Sequence, residues 1–199
     1  MTEPVGLRER KKRRTRRALM EAAYRLFDER GYEETTVGAI AEAADVSPAT
    51  FYLHFPTKED VLFVDGPHYL DIAVDAIADR RPDDQPSDTL VRALRRGLEA
   101  GRGDVRDITG ELEEIRLRLI TSTPALQART LHRVFSGQQH LAAALQRAYP
   151  DRVDDLDAAA LVGAVTGAIL AAVHVAVSSG RPLEPAVERV FDLAGRLGA

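Results

Sequence analysis

Basic side chains are concentrated in the N-terminal part of this 199-residue sequence. Residues 8–17 (RERKKRRTRR) hold eight bases and one acid, although the whole chain has a net charge of −4. Bases at this density neutralise several phosphates when they lie along a nucleic-acid backbone, whereas a solvated, disordered segment is the alternative interpretation. Because of the residues that follow, we expect phosphate or minor-groove contact. The bases assigned to this contact are Arg13, Arg14, Arg16 and Arg17.

Side chains that suit phosphate contact recur in residues 35–58 (TTVGAIAEAADVSPATFYLHFPTK). Thr36 offers a hydroxyl that caps a helix start, and the helix it opens has a buried stripe at helical spacing. That stripe consists of Val37, Ile40, Ala41 and Ala44. After a short turn at Asp45-Val46, Ser47 is a strong N-cap and Pro48 fits the first helical position. Two short helices joined by a turn form a helix-turn-helix, whose second helix can enter the major groove of DNA.

The second helix of this motif is predicted to run from Pro48 to Leu53. Hydroxyls and a helix N-terminus favour phosphate oxygens, and Ala or Thr methyls can pack on a thymine methyl. Phe51 and Phe55 are expected in the core, and Ser47 has capping alone as its alternative role. Since the helix contains no Arg, Asn or Gln, we expect modest base discrimination, with DNA shape contributing more.

The rest of the sequence predicts an all-α chain of about nine helices. We expect an N-terminal domain at residues 1–56, which contains a basic arm and the helix-turn-helix, and a helical body at residues 57–199. Residues 1–58 have a net charge of +2 and the remainder a net charge of −6. Hydrophobic residues make up 45% of the chain, so the body can hold a sizeable core. Cysteine is absent, which excludes disulfides and thiolate metal sites.

Caps, prolines and glycines set the expected helix boundaries. Residues 1–8 lack a periodic pattern and are expected to be disordered. A helix capped by Thr57 is expected to reach Ile77, with a kink or break near Asp65 because Gly66-Pro67 interrupts it. Gly101 and Gly103 are expected to end a later helix, which leaves residues 102–104 in a turn. The other predicted helices cover residues 15–30, 88–100, 107–121, 124–148 and 156–178, and a last helix is opened by Pro182 and Pro185.

Residues 156–178 (LDAAALVGAVTGAILAAVHVAVS) form the most apolar segment and are long enough to span a bilayer. Their Ala and Gly content, Thr166, His174 and the aspartates before them argue against a membrane span. A helix that is apolar all round is otherwise buried all round. We therefore expect this helix and the last one to form half of an intermolecular four-helix bundle. The predicted interface residues are Ala160, Gly163, Ala164, Gly167, Ala168, Ala171, Val187, Val190, Phe191 and Ala194.

Residues from about Arg13 to Leu62 carry the pattern AA..LF...G...TTV..IA..A.VS..T.Y.HF..KE. This segment resembles the N-terminal domain of the TetR family of transcriptional regulators. The resemblance implies a three-helix DNA-binding head, an all-helical ligand-binding body and a homodimer. Members of the family usually repress, and release the operator when a small molecule enters the body. By position, the resemblance implies phosphate contact by Thr36, Tyr52, His54 and Lys58, and base or backbone contact by Ser47, Pro48, Ala49 and Thr50.

The body, with its RLRLITSTPALQAR and LAAAL stretches and its Ala-rich eighth helix, is similar to mycofactocin-system regulators. That resemblance implies a small hydrophobic effector such as a fatty acyl-CoA. The recognition helix departs from this subgroup, because it reads T-F-Y-L-H-F where the subgroup more often reads T-F-F-R-Y-F. Each candidate for the cavity lining has core packing as an alternative role. These candidates are Phe63, Tyr69, Leu70, Leu94, Leu98, Leu117, Thr121, Leu131, Phe135 and His174.

No constellation of an enzyme is recognisable in the sequence. A Gly-rich phosphate loop after a strand is absent, and the five histidines lack metal-ligand spacing. We expect no enzymatic activity, no metal and no cofactor, and a cytoplasmic protein, since an apolar signal segment is missing. The alternative class is a sequence-tolerant architectural DNA-binding protein without a ligand switch. Nonspecific coverage of random duplex, with no preferred palindrome, would favour that alternative.

Overall fold

A computed structural model describes residues 5–63, 66–105 and 110–197 of the chain, and these residues contain α-helices and no β-strand. The all-α prediction is confirmed. A single 3₁₀ turn, Glu59–Val61, separates the third and fourth helices. The helices are α1 (Val5–Arg30), α2 (Val37–Ala43), α3 (Pro48–His54), α4 (Gly66–Ala78), α5 (Pro86–Val105), α6 (Gly110–Ser122), α7 (Pro124–Ala148), α8 (Asp155–Ser178) and α9 (Leu183–Leu197).

The chain divides into two compact units, which do not coincide with the predicted domains. The first unit contains residues 1–64 together with residues 105–126. The second contains residues 65–104 and 127–199. Helix α6, which the sequence assigned to the body, therefore belongs to the same compact unit as the helix-turn-helix. Contacts between α1 and α6, which no local sequence pattern encodes, account for this grouping.

The core of the first unit is built on the inner stripe of α1. Leu19, Ala23 and Phe27 are fully or almost fully buried, as the helical spacing predicts. They share one hydrophobic cluster with residues of α2, α3, α6 and the 3₁₀ turn. The Tyr24 hydroxyl, also buried, donates a hydrogen bond to the Val61 carbonyl at 3.0 Å. Burial of each large apolar side chain contributes about 2 kcal/mol, so α1 is the support on which the two short helices rest.

The second unit has a separate core between α4, α5, α7 and α8. A buried polar contact lies within it, because the hydroxyls of Thr89 and Tyr149 are 2.7 Å apart. Gly97 of α5 lies where a Cβ atom would come within 2.9 Å of the Tyr69 carbonyl oxygen of α4. Glycine at this position therefore allows α4 and α5 to approach closely.

Two of the predicted helix boundaries are wrong, because each of these helices is longer than the sequence pattern indicates. Helix α1 begins at Val5, so residues 5–8 are helical rather than disordered, and the basic run 8–17 is part of the helix. Helix α5 continues to Val105 through Gly101 and Gly103, so residues 102–104 are helical rather than a turn. Glycine inside a helix costs only about 1 kcal/mol relative to alanine, which the neighbouring turns can offset.

The segment after α3 also differs from its prediction. The Thr57 side chain does not cap the turn that follows, because the N-cap position is Lys58 and has no side-chain cap hydrogen bond. The backbone N–H and the hydroxyl of Thr57 instead donate to the Asp60 carboxylate at 3.0 and 2.8 Å. That turn is a short 3₁₀ segment, and Phe63 is not helical, so no continuous helix runs from Thr57. The kink predicted near Asp65 lies outside the described residues. Helix α4 begins at Gly66, which places Pro67 in a first turn, where its missing N–H breaks no helical hydrogen bond.

The predicted extents of α7 and α8 agree with the structure to within a residue. Asp154 caps α8 by accepting a hydrogen bond from the Asp157 N–H at 2.7 Å. Within the described residues, α8 is the one helix that is long and apolar enough to cross a membrane, a criterion that many helices of soluble proteins also meet. Only 17% of its apolar window is buried within the chain. The expectation of burial on all sides is therefore not met by one chain alone.

Candidate nucleic-acid interface

The helix-turn-helix has the geometry that its capping residues predict. The Thr36 hydroxyl accepts a hydrogen bond from the Ala39 N–H at 3.1 Å, which fixes the start of α2. The Ser47 hydroxyl accepts one from the Thr50 N–H at 3.1 Å and starts α3. Asp45, between the helices, has φ of 54°, a left-handed conformation that aspartate tolerates better than most residues. The two helices and the turn are confirmed as a structural unit.

One face of α3 is buried, and the other presents the residues predicted to contact DNA. Phe51 and Phe55 are 0% and 1% exposed, which confirms them as core residues. Ser47, Pro48 and Ala49 at the start of the helix are exposed, as is Thr36 at the start of α2. Thr50 is half-buried, with its hydroxyl 3.0 Å from that of Ser47. Tyr52 is 56% exposed, so its hydroxyl is accessible to a phosphate.

Leu53 is the residue of this face that the sequence prediction left out. Its side chain is 83% exposed, the highest value among the exposed large apolar side chains of the described chain. The spacing of Phe51 and Phe55 would have revealed it, because on a helix with those two residues buried, position 53 points away from the core. An apolar side chain held out in this way can pack on a thymine methyl or on deoxyribose.

Lys58, predicted to contact phosphate, has an internal role. Its Nζ donates hydrogen bonds to the Tyr32 carbonyl at 2.7 Å and to the Thr35 carbonyl at 3.1 Å. The same ammonium lies 4.1 Å from the centre of the Tyr32 ring, where a cation is attracted to the ring face. Lys58 thereby ties the loop between α1 and α2 to the segment after α3. The contact of Lys58 with phosphate stays a prediction. Two of its ammonium hydrogens are used by the two carbonyls, and the third can be donated to a phosphate oxygen.

Arg16 also has a partner within the first unit. Its Nη1 donates a hydrogen bond to the His54 carbonyl at 3.0 Å, and its guanidinium lies 4.4 Å from the centre of the Phe55 ring. Arg17 pairs with Glu21 at 2.7 Å on the exposed surface of α1. Arg13 and Arg14 are exposed on the same helix. Of the four predicted arginines, Arg16 therefore joins α1 directly to the end of α3.

His54 lies at the end of α3 in positively charged surroundings. Burial lowers the pKa of its imidazole, and the charges of Arg16 and Lys12 lower it further. Its Nδ1 is buried without a hydrogen-bond partner, which also favours the neutral ring. A neutral imidazole can still donate an N–H to a phosphate, so the predicted contact is chemically compatible with this environment.

The predicted ligand-binding residues are distributed over both compact units. Phe63, Leu117 and Thr121 belong to the first compact unit and the others to the second. Leu70 and Leu94 pack on the core of the second unit, whereas Leu131 and Phe135 are 59% and 61% exposed. Tyr69 is half-buried, and Leu98 and His174 are exposed. A cavity of about 540 Å³ in the second unit has a different lining, which is Val74, Ala78, Arg80, Pro82, Ala144, Arg147 and Ala148.

The predicted dimer interface divides into an exposed part and a buried part. On α8, the side of the small residues is exposed, with Gly163 half-buried. Its exposed members are Ala160, Ala164, Gly167, Ala168 and Ala171. On α9, Val187, Val190 and Phe191 are 2–8% exposed and Ala194 is half-buried, so this stripe packs inside the chain. The apolar residue that α9 presents outward is Leu193, at 50% exposure, because it lies off the amphipathic stripe.

Acidic and histidine side chains do not gather into a metal site in the described part of the chain. Two arginines of α6 are paired with carboxylates. Arg116 forms a bidentate contact with Glu113 and donates to the Leu62 carbonyl at 3.1 Å. Arg118 donates to Asp28 of α1. Both pairs lie within the first unit.

Known proteins resemble this chain along most of its length. The family of bacterial regulatory proteins called tetR matches residues 19–63, and the MftR C-terminal domain matches residues 88–196. The regulator TcmR of Streptomyces glaucescens is 39% identical over 129 residues, which cover 64% of this chain and 57% of TcmR. HbdR of Aromatoleum sp. (strain CIB) is 38% identical over 71 residues, which cover 36% of this chain and 29% of HbdR. These similarities thus span less than two thirds of either relative.

Two solved structures show the same fold at low identity. The SmeT–triclosan complex has a TM-score of 0.61 and 19% identity, covering 90% of this chain and 89% of SmeT. The fatty acid degradation regulator FadR from Bacillus halodurans has a TM-score of 0.55 and 21% identity, covering 89% of this chain and 92% of FadR. With one family matching the helix-turn-helix and another matching more than half of the chain, this protein belongs to the TetR family of bacterial transcriptional regulators.

Proposed function

We propose that this chain is a ligand-responsive repressor that binds a palindromic DNA operator as a homodimer in the cytoplasm. A small hydrophobic molecule bound to the C-terminal body releases the operator. The observation that carries this proposal is the capped helix-turn-helix, whose exposed face holds Ser47, Pro48, Ala49 and Tyr52 in a chain of this family. Family membership also favours this function over the architectural alternative, and over an enzyme.

DNA contact by the head combines phosphate anchoring with limited base contact. Thr36 at the start of α2, and Tyr52 and His54 on α3, contact phosphates, and Lys58 adds its remaining ammonium hydrogen. Ser47, Pro48, Ala49 and Thr50 enter the major groove at the start of α3. Because none of these side chains makes the bidentate base contacts of Arg, Asn or Gln, the operator is discriminated by apolar contacts and by DNA shape.

The homodimer forms through the exposed side of α8. Leu156 is 74% exposed and Val175 is 52% exposed, and the small residues lie between them on the helix. An apolar face of this length on a soluble protein indicates a protein interface, and small residues allow two helices to approach closely. Leu193 on α9 is a further exposed apolar side chain, at 50% exposure. Two heads joined in this way read half-sites about 34 Å apart or at a multiple of that distance.

The effector is a hydrophobic molecule, for which fatty acyl-CoA is the first candidate. This choice rests on the MftR C-terminal domain that matches residues 88–196. The cavity residues predicted from the sequence include Tyr69, Leu94 and Phe135. Occupation of the body would change the separation of the two heads in the dimer. A change of a few ångströms in that separation prevents both heads from contacting DNA together.

Selection of bound duplexes from a random pool tests the function. We expect enrichment of one palindrome, and its release by the effector among fatty acids, acyl-CoAs and planar cations added in a repeated selection. Uniform recovery of unrelated sequences at moderate salt would instead establish the architectural alternative. A palindrome that none of the candidates releases would retain the DNA-binding part of the proposal and remove acyl-CoA as the effector.

A further inference from the structure

The basic run differs in location from the rest of the candidate DNA interface. The tetR family match begins at residue 19, so residues 8–17 precede the part of the chain that the family describes. In the structure they continue α1 as an uninterrupted helix. At about 1.5 Å per residue, the stretch from Arg8 to Leu19 is about 16 Å long. A duplex segment of that length carries about nine phosphate charges, so the dimensions permit several contacts.

Three of the bases lie in one row on the inner side of α1. Arg8, Lys12 and Arg16 follow one another at four-residue spacing, which places them on one side of a helix. Leu19 and Ala23 continue this row at spacings of three and four and are fully buried in the head. The row thus changes from apolar to basic where α1 passes beyond the core, on the side that faces α3.

Contacts at the junction locate this row next to the recognition helix. Arg16 donates its hydrogen bond to the carbonyl of His54, the last residue of α3. Lys12, one turn earlier and exposed, is near enough for its charge to lower the pKa of His54. Both bases therefore add positive potential at the end of α3 where a phosphate contact is proposed.

We propose that Arg8, Lys12 and Arg16 form a phosphate-binding row through which the inner side of α1 contacts the DNA backbone beside the half-site. This inference rests on the proposed DNA-binding function and adds a site to it. As part of a helix, the row follows the backbone from outside and contributes affinity without reading bases. Arg16 also positions the row, because its contacts with His54 and Phe55 hold α1 against α3.

The opposite side of α1 supplies a matched control. Lys11 and Arg25 are exposed and lie on that side of the helix, away from the buried stripe. The double variant Arg8→Gln/Lys12→Gln and the control Lys11→Gln/Arg25→Gln remove the same charge from the same helix. Glutamine has nearly the same helix propensity as lysine and arginine. Equal thermal melting of both variants and the wild type will verify that α1 remains folded.

The measurement is operator affinity as a function of salt, on the palindrome that selection yields. Each phosphate contact contributes about 0.9 to the slope of log K against log salt concentration. For Arg8→Gln/Lys12→Gln we expect a slope that is less steep by about 1.8 for each bound head, and loss of backbone protection at specific phosphates. The control should retain most of the wild-type slope and all of that protection.

Three results separate the possible failures. If the wild type enriches no palindrome, the proposed function fails and not only this inference. If the wild type binds its palindrome and both variants retain its slope, α1 makes no phosphate contact and the row is overturned. Equal losses in the two variants would also overturn it, because the charge of the helix would then act without regard to its face.

Discussion

The two compact units differ in how much of their structure a single chain stabilises by its own contacts. In the first unit, side chains close the loops around the helix-turn-helix by hydrogen bonds to backbone carbonyls. In the second unit, the most apolar helix leaves a whole side exposed. The first unit closes these loops with its own side chains, whereas an exposed apolar side requires something to cover it.

The loop between α1 and α2 illustrates the first case. The Thr35 hydroxyl is shared between the carbonyls of Leu26 and Gly31, at 3.1 and 2.8 Å. Lys58 donates to the carbonyls of Tyr32 and Thr35 from the other side. These bonds fix the residues just before Thr36, so that the hydroxyl proposed to contact phosphate is held before DNA arrives.

Helix α8 illustrates the second case. Its inward side consists of Ala158, Val162, Val165 and Ala176, which are at most 8% exposed. The outward side carries Leu156 and Val175 in contact with solvent. Leucine and valine each gain about 2 kcal/mol when they are buried, so a second copy that covers this side would be stabilised by residues that a single chain leaves unused.

The largest effect is expected from charges placed at the centre of that exposed side. The double variant Ala164→Glu/Ala168→Glu would bury two unpaired carboxylates from each chain in the dimer, which is strongly unfavourable. We expect a monomer by light scattering and operator affinity lower by about 100-fold or more, equivalent to about 2.7 kcal/mol. Both positions are exposed in one chain, so the unfolding of the monomer should change little.

Ala125→Glu is the control for this variant. Ala125 is exposed in the first turn of α7, where a glutamate suits the helix dipole. It should leave both the mass and the affinity as in the wild type. A dimer that persists in Ala164→Glu/Ala168→Glu would show that another surface joins the two copies. The exposed side of α8 would then not be the dimer interface.

A smaller effect, on the free energy of unfolding, is expected at Lys58, which joins the loop between α1 and α2 to the segment after α3. Lys58→Met keeps the length of the side chain but leaves the carbonyls of Tyr32 and Thr35 without their donor. Since hydrogen bonds from charged groups contribute about 1.5–3 kcal/mol and Lys58 is half-buried, we expect about 2 kcal/mol of destabilisation. Urea unfolding of the purified protein is the measurement.

Arg25→Met, on the exposed side of α1, removes the same charge and should change stability by less than about 0.5 kcal/mol. The salt dependence of operator binding then separates the two roles of Lys58. An unchanged stability, combined with a slope less steep by about 0.9 for each head, would mean that Lys58 serves phosphate alone, and that the loop is held by Thr35 without it.

Local rules predict the site to the extent that its residues interact with near neighbours. Thr36, Ser47 and Pro48 act within three residues of their own positions, so the capping rules locate α2 and α3 correctly. Phe51 and Phe55 are recognised as core by their spacing. The first helix was expected to begin at Thr15 because the charges of the basic run hide its periodicity, although α1 begins at Val5 and continues through the run.

Interactions between distant positions account for most of what the sequence does not predict. The Lys58 ammonium bonds to a carbonyl 26 residues away, and Arg16 to one 38 residues away. The assignment of α6 to the first unit depends on similar contacts, such as that of Arg116 with the Leu62 carbonyl across 54 residues. No pattern of neighbouring residues encodes such pairs. The sequence therefore does not distinguish a base that hydrogen-bonds to a loop of the same chain from one that contacts phosphate.

The smallest expected effect concerns Leu53, an exposed leucine on the head that is comparable with Leu156 on the body. We expect Leu53 to pack on a thymine methyl and Leu156 to pack on a second copy, because the proposed function places α3 against DNA and α8 against the partner. Leu53→Ala should weaken operator binding by about 1 kcal/mol, close to the value of a buried methylene group, without changing the mass of the dimer. Leu156→Ala should weaken the dimer at low protein concentration.

Deoxyuridine supplies the counterpart to Leu53→Ala on the DNA side, since it differs from thymidine only by the missing methyl group. If Leu53 packs on that methyl, one thymine-to-uracil replacement in each half-site weakens binding by the wild type but not by Leu53→Ala, which gives a measurable coupling energy. Additive effects at every thymine would place Leu53 against deoxyribose or solvent. The 83% exposure of Leu53 would then be a surface feature of the head unrelated to base recognition, and discrimination would depend on the residues at the start of α3.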